Sequence, residues 1–162
     1  MTLSICDLCD EHPQQVQVAE PLFRDFGARV RFAGRIVTIK CHEDNSRVRD
    51  LVAEPGRGCV LVIDGGGSLR RSLLGDQLAA RAVVNGWEGI VIYGAVRDVE
   101  ALAGMDIGVK ALAAIPLKTD KKNVGERDLA LRFAGVEFIP GRFLYADANG
   151  IIVADTELAD AR

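Results

Sequence analysis

Apolar residues recur with two different periods along this chain, and the change of period predicts its central elements. Residues 77–86 (QLAARAVVNG) carry apolar side chains at helical spacing, so that Leu78, Ala82 and Val83 face a core. Residues 89–94 (GIVIYG) form an unbroken apolar run between glycines, which is typical of a strand buried on both faces. The segment therefore predicts a helix followed by a buried strand.

The same patterns predict the remaining elements. Ser4 caps a first helix, a second helix spans residues 45–54, and a short one spans 98–102. Strands are predicted at residues 32–41, 59–64, 106–115, 136–139, 143–145 and 151–153, the last two joined by the hairpin turn Asn149-Gly150. Helices concentrate early and strands late, which predicts one layered α/β or α+β domain over residues 1–162 rather than a regular doubly wound sheet.

Composition and charge narrow the class of protein. The chain has 162 residues, of which 49% are hydrophobic and 27% are charged, as in a folded globular domain. Twenty basic and 23 acidic residues leave a net charge of −3, whereas a protein that binds a duplex usually carries a basic face. Direct binding of DNA or RNA is therefore disfavoured, but contact with a nuclease is not.

The first residues and the cysteines indicate a cytoplasmic protein. Residues 1–7 lack the basic start and long apolar core of a signal peptide, and no apolar run approaches the roughly 20 residues of a membrane helix. With no export signal, the four cysteines are expected to be reduced thiols. Cys6 and Cys9 have the spacing of half a zinc knuckle or a redox pair, but a second pair is missing, and two small buried residues on a helix fit as well.

Residues 75–78 are the first candidate for ligand binding. Gly75, Asp76, Gln77 and Leu78 form a predicted helix start, where unpaired backbone N–H groups and the helix dipole favour a carboxylate. The alternative is an ordinary cap, in which Gly75 supplies the turn and Asp76 satisfies the first amides.

Arg97 and Asp98 are the second candidate, because they directly follow the predicted buried strand. Ligands of open α/β sheets gather beyond the carboxyl ends of strands. Asp98 has the oxygen chemistry for Mg²⁺ or Mn²⁺, and Arg97 suits a keto oxygen that gains negative charge. The alternatives are a surface ion pair and a helix cap by Asp98. Together, the two candidates suit a small anionic substrate bridged to a divalent metal.

Two other segments carry less chemistry. Residues 64–68 (DGGGS) do not match a nucleotide-binding glycine motif, since Arg70 stands where the third glycine belongs, so a tight turn that admits another backbone is predicted. Lys118, Lys121 and Lys122 are interpreted as a solvated cationic loop. His12 and His42 have no partner at a catalytic spacing. These segments predict neither a nucleotide site nor a nucleophilic active site.

Several strings together resemble a known family over essentially the full length. They are residues 18–23 (VAEPLF), 62–68 (VIDGGGS), 87–89 (WEG), 92–97 (IYGAVR) and 144–147 (LYAD). The chain resembles the regulator of ribonuclease activity A (RraA) proteins and the related class II 4-hydroxy-4-methyl-2-oxoglutarate aldolases. The resemblance implies a compact β/β/α sandwich of the swivelling type, assembled as a homotrimer with sites between subunits.

The resemblance also implies roles for the two candidates. The amides of Gly75 to Leu78 would bind the carboxylate of a pyruvate-like 2-keto acid, Arg97 would bind the substrate, and Asp98 would hold Mg²⁺ or Mn²⁺. The aldolases cleave 4-hydroxy-4-methyl-2-oxoglutarate to two pyruvates and decarboxylate oxaloacetate, both through a pyruvate enolate. A divalent-metal-dependent lyase is thus the first hypothesis.

Two departures from the family pattern act in opposite directions. Regulators that inhibit ribonuclease E often lack the metal aspartate, so Asp98 favours an enzyme. The aldolases carry an acid three positions later, where this chain has Ala101, and Glu100 would point about 100° away on a helix. Decarboxylation is therefore expected to survive better than aldol cleavage, which also needs a base. An inhibitor of ribonuclease E is the second hypothesis, and a scaffold with neither activity is the third.

Overall fold

The computed structural model describes residues 4–159, which form four helices and twelve strands. The helices are α1 (Ile5–Glu11), α2 (Ser46–Val52), α3 (Asp76–Val84) and α4 (Val99–Leu102). The strands are β1 (Val16–Val18), β2 (Arg24–Asp25), β3 (Phe32–Lys40), β4 (Cys59–Asp64), β5 (Ser72–Leu74), β6 (Gly89–Val96), β7 (Gly108–Ala114), β8 (Glu126–Arg127), β9 (Leu131–Phe133), β10 (Val136–Phe138), β11 (Phe143–Asp147) and β12 (Gly150–Ala154). In this part of the chain, no helix has the length and apolar character needed to cross a membrane.

Ten of these strands form one mixed sheet in the order β1-β12-β11-β3-β4-β6-β7-β2, with β5 paired to β6 and β8 to β3. The strands β3, β4, β6 and β7 run parallel, so their carboxyl ends lie on one side. On the other flank, β11, β12 and β1 are antiparallel. The remaining two strands, β9 and β10, form a separate hairpin.

The central parallel strands β4 and β6 are buried on both faces, which explains their continuous apolar runs. On one face, Ile63 and Ile92 pack with residues of α2 and α3. On the other face, Val62 and Val91 pack against the β9–β10 hairpin and β11. A helical layer, a central sheet and a second β layer follow one another, and the predicted α/β sandwich of β/β/α type is confirmed.

Elements with a strong local signal are confirmed, usually within two or three residues of the predicted ends. The amide of Asp7 donates to Ser4 Oγ at 3.1 Å, so the cap of α1 is confirmed. The strands β1, β2, β5, β8 and β9 were not predicted, because each has only two or three residues and is defined by its partner across the sheet. Cys6 is exposed, so its interpretation as a small buried residue is wrong. Residues 1–3 of the segment considered as a leader lie outside the described residues.

The glycine segment after β4 forms the predicted tight turn. The amides of Gly65 and Gly67 both donate to the carbonyl oxygen of Tyr93, each at 3.1 Å. A Cβ on Gly65 would lie 2.9 Å from that oxygen, closer than real side chains approach. The turn therefore ties the end of β4 to β6 and uses the amides that a phosphate loop would present to a ligand.

Candidate functional site

Parallel pairing of β5 with β6 brings the two predicted site segments to the same end of the sheet. These segments are residues 75–78 and the pair Arg97-Asp98. Strand β5 leads directly into α3, and β6 leads directly into Arg97 and Asp98. The amide of Arg97 donates to the carbonyl of Leu74 at 2.9 Å, which fixes the two chain segments side by side. Residues that are about 20 positions apart in sequence thus share one cavity.

The cavity has a volume of about 160 Å³. This is roughly half of the about 300 Å³ at which pockets for drug-sized ligands begin, so it suits a small molecule. The structure brings together all six predicted site residues, and the lining consists of Asn45, Ser72, Gly75, Asp76, Gln77, Leu78, Arg97, Asp98, Lys118, Thr119 and Lys121.

The amino end of α3 presents two free donors to this cavity. The amide of Asp76 donates to Asp98 Oδ2 at 3.0 Å, so one of the predicted carboxylate-binding amides already has an acceptor within the chain. Within residues 4–159, the amides of Gln77 and Leu78 have no hydrogen-bond acceptor. Free amides at a helix start attract an anion, and these two would hold a carboxylate.

Asp98 reaches α3 because its backbone adopts an uncommon conformation. Its φ of 56° and ψ of 42° lie in the left-handed region, which aspartate tolerates better than most residues. Its side chain makes no capping bond to its own helix, α4. Asp98 therefore caps a helix, as one of the alternatives from the sequence predicted. The helix that it caps is α3 and not α4.

Gly75 makes this approach possible. A Cβ at this position would lie 2.6 Å from Asp98 Oδ2 and 3.3 Å from Arg97 Nε. Because the first distance is shorter than a van der Waals contact, any side chain would displace the carboxylate. The backbone of Gly75 has an ordinary φ of −126°, so the glycine is needed for space and not for its conformation.

Arg97 is held only loosely by the protein. Its Nε lies 3.8 Å from Asp98 Oδ2, and both side chains are 38% exposed. An ion pair of this length and exposure contributes little to stability. No other acceptor for the guanidinium occurs within the described residues, so most of its donors are available to a ligand.

The donor set fits one class of metal. Asp98 Oδ1 accepts no hydrogen bond from residues 4–159, so one carboxylate oxygen is free for a cation. These residues contain no cluster of three or more His, Cys, Asp or Glu side chains of the kind that holds zinc. Mg²⁺ keeps several waters and needs only one or two protein carboxylates, so Asp98 fits Mg²⁺ or the similar Mn²⁺.

Sequence reasoning missed five residues of the cavity, of which Ser72 lies on β5 just before α3 and the other four come from distant segments. Lys118 and Lys121 are exposed, as predicted for a solvated loop, but both line the cavity. Asn45 and Thr119 are buried and line it from the side. No local pattern marks these residues, because long-range contacts bring them to α3. Glu100 is exposed and does not contribute to the lining.

Comparison with known proteins places the chain among close relatives. A family model described as RraA-like, Aldolase/RraA, matches residues 2–153. A protein of Pseudomonas aeruginosa strain LESB58, named "Putative 4-hydroxy-4-methyl-2-oxoglutarate aldolase", is 60% identical over 152 residues, which cover 94% of each chain.

Solved structures agree on the fold but carry different names. The RNA-processing inhibitor RraA of Thermus thermophilus superposes with a TM-score of 0.95 at 46% identity, covering 100% of this chain and 98% of its own. A Geobacillus kaustophilus protein described as an S-adenosylmethionine:2-dimethylmenaquinone methyltransferase gives 0.94 at 42% identity, covering 96% and 97%. The shared architecture is thus accompanied by three different descriptions of activity.

Proposed function

The chain belongs to the RraA-like, Aldolase/RraA family, and from this membership and the site geometry we propose that it is a divalent-metal-dependent carbon–carbon lyase. Its substrates are small 2-keto diacids: 4-hydroxy-4-methyl-2-oxoglutarate, cleaved to pyruvate, and oxaloacetate, which is decarboxylated. The observation that carries the proposal is the convergence of free amides, a guanidinium and a carboxylate on one small cavity.

Each group has a distinct task. The amides of Gln77 and Leu78 bind the carboxylate next to the keto group, with Gly75 and Asp76 shaping the turn that presents them. Arg97 donates to the keto oxygen and stabilises the negative charge that develops there, which makes it the catalytic residue. Asp98 holds the metal, Mg²⁺ or Mn²⁺, through its free oxygen. When bound, the metal supplies a Lewis acid for the keto oxygen.

The two reactions break equivalent bonds. In oxaloacetate, the bond between C3 and C4 breaks, carbon dioxide leaves, and the electron pair moves onto the keto oxygen as an enolate that solvent protonates at C3. In 4-hydroxy-4-methyl-2-oxoglutarate, loss of the C4 hydroxyl proton to a base starts the same cleavage. Because Ala101 replaces the acid of the aldolases, we expect decarboxylation to be the faster reaction.

The test follows pyruvate release from both substrates with Mg²⁺, with excess EDTA, and after Asp98→Ala. We expect EDTA and Asp98→Ala each to abolish most turnover. The control is Asp155→Ala, which removes an exposed carboxylate whose partner is Arg142; neither residue lines the cavity. Turnover that resists both EDTA and Asp98→Ala would overturn the proposal.

A second function, inhibition of ribonuclease E, is favoured by the similarity to the Thermus thermophilus RNA-processing inhibitor. It requires only an outer surface, so it is compatible with a lyase site. Association with the nuclease at micromolar concentration and slower RNA cleavage are the expected results. Unchanged cleavage with no association would exclude this function.

We also infer a cytoplasmic homotrimer that binds neither nucleic acid nor membranes. Exposed apolar side chains support burial by further copies: Leu69, Leu117 and Val124 are 47%, 51% and 54% exposed. Sedimentation equilibrium is expected to give three times the mass of the 17.5 kDa chain. A monomeric mass would contradict this assembly.

A further inference from the structure

The connection between β7 and β8 brings two unpaired cations to the cavity. Lys118 and Lys121 line it, and neither side chain forms an ion pair with any residue of the described chain. Lys122, between Lys121 and β8, lines a different cavity. With Arg97, the site thus has three cationic side chains against two carboxylates, those of Asp76 and Asp98. The excess of positive charge favours an anionic ligand, and the two lysines without an ion-pair partner offer a position for a carboxylate beyond the one at α3.

A buried side-chain relay fixes this connection. Thr119 Oγ1 donates to Asn45 Oδ1 at 2.7 Å, and Asn45 Nδ2 donates to the carbonyl oxygen of Leu73 at 3.1 Å. Thr119 is 4% exposed and Asn45 is 7% exposed. The relay therefore connects the lysine segment to β5, the strand that leads into α3.

A second set of hydrogen bonds holds the C-terminal part of the same segment. The amide of Lys122 donates to Asp44 Oδ2 at 2.6 Å, and the amide of Asn123 donates to Ser46 Oγ at 3.1 Å. Ser46 Oγ in turn donates to Asp44 Oδ1 at 2.6 Å. Burying polar groups costs free energy unless they are paired, and every member here is paired, so the network specifies one position for the segment.

We propose that Lys118 and Lys121 form a subsite for the second carboxylate of the substrate, and that Thr119 and Asn45 are positioning residues for it. The proposal rests on the proposed function and adds the origin of its preference for diacids. With one carboxylate on the amides of α3 and the keto oxygen at Arg97, the remaining carboxylate of a diacid faces the lysines. Pyruvate has no such group and gains nothing from them.

The experiment compares a diacid with a monoacid on the full chain with Mg²⁺. Calorimetry measures the binding of two ligands. One is 2-oxoglutarate, a 2-keto diacid that lacks the C4 hydroxyl group needed for aldol cleavage, and the other is pyruvate. For the double variant Lys118→Gln, Lys121→Gln, we expect the Kd of 2-oxoglutarate to rise about tenfold to a hundredfold, as for loss of charge-assisted hydrogen bonds, with that of pyruvate unchanged within about twofold. The KM for oxaloacetate should rise similarly while kcat stays within about threefold. Lys122→Gln is the matched control.

The positioning role is tested by Thr119→Val, which removes the donor, and by Thr119→Ser, which keeps it. We expect the valine variant to lose part of the preference for 2-oxoglutarate over pyruvate and the serine variant to retain it. Thermal unfolding reports whether either variant is folded. A folded valine variant with an unchanged preference would overturn the positioning role.

The outcomes distinguish failure of the lysine subsite from failure of the proposed function. If the wild type binds both acids and the double variant binds each of them as tightly as the wild type does, the subsite is overturned and the proposed function stands. Equal weakening of pyruvate and 2-oxoglutarate would also overturn the subsite. A wild type that binds neither acid and releases no pyruvate would overturn both.

Discussion

The parallel strands β3, β4, β6 and β7 and the antiparallel strands β11, β12 and β1 belong to one sheet, yet the whole candidate site lies beside the first group. In the parallel group, successive strands end on the same side, so the segments that follow them meet there. In the antiparallel group, successive strand ends alternate between sides, and a tight hairpin joins β11 to β12. Function and scaffold are thus divided within one continuous sheet.

The polar side chains of the two regions reflect this division. Asp147, at the end of β11, accepts hydrogen bonds from the amides of Ile5 and Asn149, both within the scaffold. Asp98, at the end of β6, accepts one bond and keeps one oxygen free. A carboxylate whose acceptors are all used serves the fold, whereas one with spare capacity is available to a ligand.

The largest expected effect is on the β9–β10 hairpin, which packs against β11 and β12 of the scaffold and does not line the cavity. Phe138 is fully buried and stacks on Phe133 with ring centroids 4.3 Å apart. Phe138→Ala should lower the free energy of unfolding by about 3–5 kcal/mol, measured by urea titration. Turnover per folded molecule should be unchanged, because Phe138 does not line the cavity. A folded variant with a strongly reduced kcat would contradict the division between a region that serves stability and a region that serves activity.

Arg97→Ala should have the opposite effect, a large loss of activity with little change in stability. We expect kcat/KM for oxaloacetate to fall about 10²- to 10³-fold, the loss typical of a donor to a developing oxyanion. The free energy of unfolding should change by less than about 0.5 kcal/mol, since the ion pair with Asp98 is long and half-exposed. Arg142→Ala, which breaks an exposed pair with Asp155, is the control and should affect neither quantity. Full activity in Arg97→Ala would contradict its assignment.

A smaller loss is expected for Gly75→Ala. The new Cβ would displace the carboxylate of Asp98, so we expect kcat/KM to fall about 10- to 100-fold, equivalent to the roughly 1–3 kcal/mol of an overpacking change. The matched control is Gly104→Ala, where the nearest atom to a Cβ is the carbonyl oxygen of Ala101 at 3.7 Å. Equal kinetics in the two variants would show that close packing at Gly75 is irrelevant to the site.

The smallest effect depends on pH and concerns Asp147. Burial raises the pKa of this carboxyl, but hydrogen bonds from Ile5 and Asn149 outweigh burial and hold the pKa below its ordinary value of 3.8. A lowered pKa stabilises the fold above pH 3.8, and this contribution is lost as the pH falls through the folded-state value. Asp147→Asn should therefore cost about 1–2 kcal/mol at pH 7.

Urea titrations from pH 7 to pH 3 check this prediction. The gap between wild type and Asp147→Asn should narrow below about pH 4, the ordinary pKa range of aspartate. Asp155→Asn, at an exposed carboxylate, is the control and should show no such narrowing. A gap that is constant across the range would assign the cost to geometry and not to charge.

Much of the fold and part of the site were predictable from the residues. The buried strand at 89–94 and the helix start at Gly75 carry strong local patterns, and the order of elements along the chain predicts that β6 ends at Arg97. The short strands, such as β5, have no such pattern, because pairing with β6 defines them. The hydrogen bonds of Asn45 could not be predicted from the sequence either, because its partners lie 28 and 74 residues away in the chain.

The sequence by itself determined which segments bury apolar surface and which residues carry suitable chemistry, because periodicity and residue type are local properties. It identified Asp98 as a carboxylate after a buried strand. Only the tertiary structure decided that this carboxylate caps α3 and that Lys118 and Lys121 share its cavity. The physical reason is that hydrogen-bond partners and shared cavities depend on how distant segments pack, and the pairing of β5 with β6 sets that packing here.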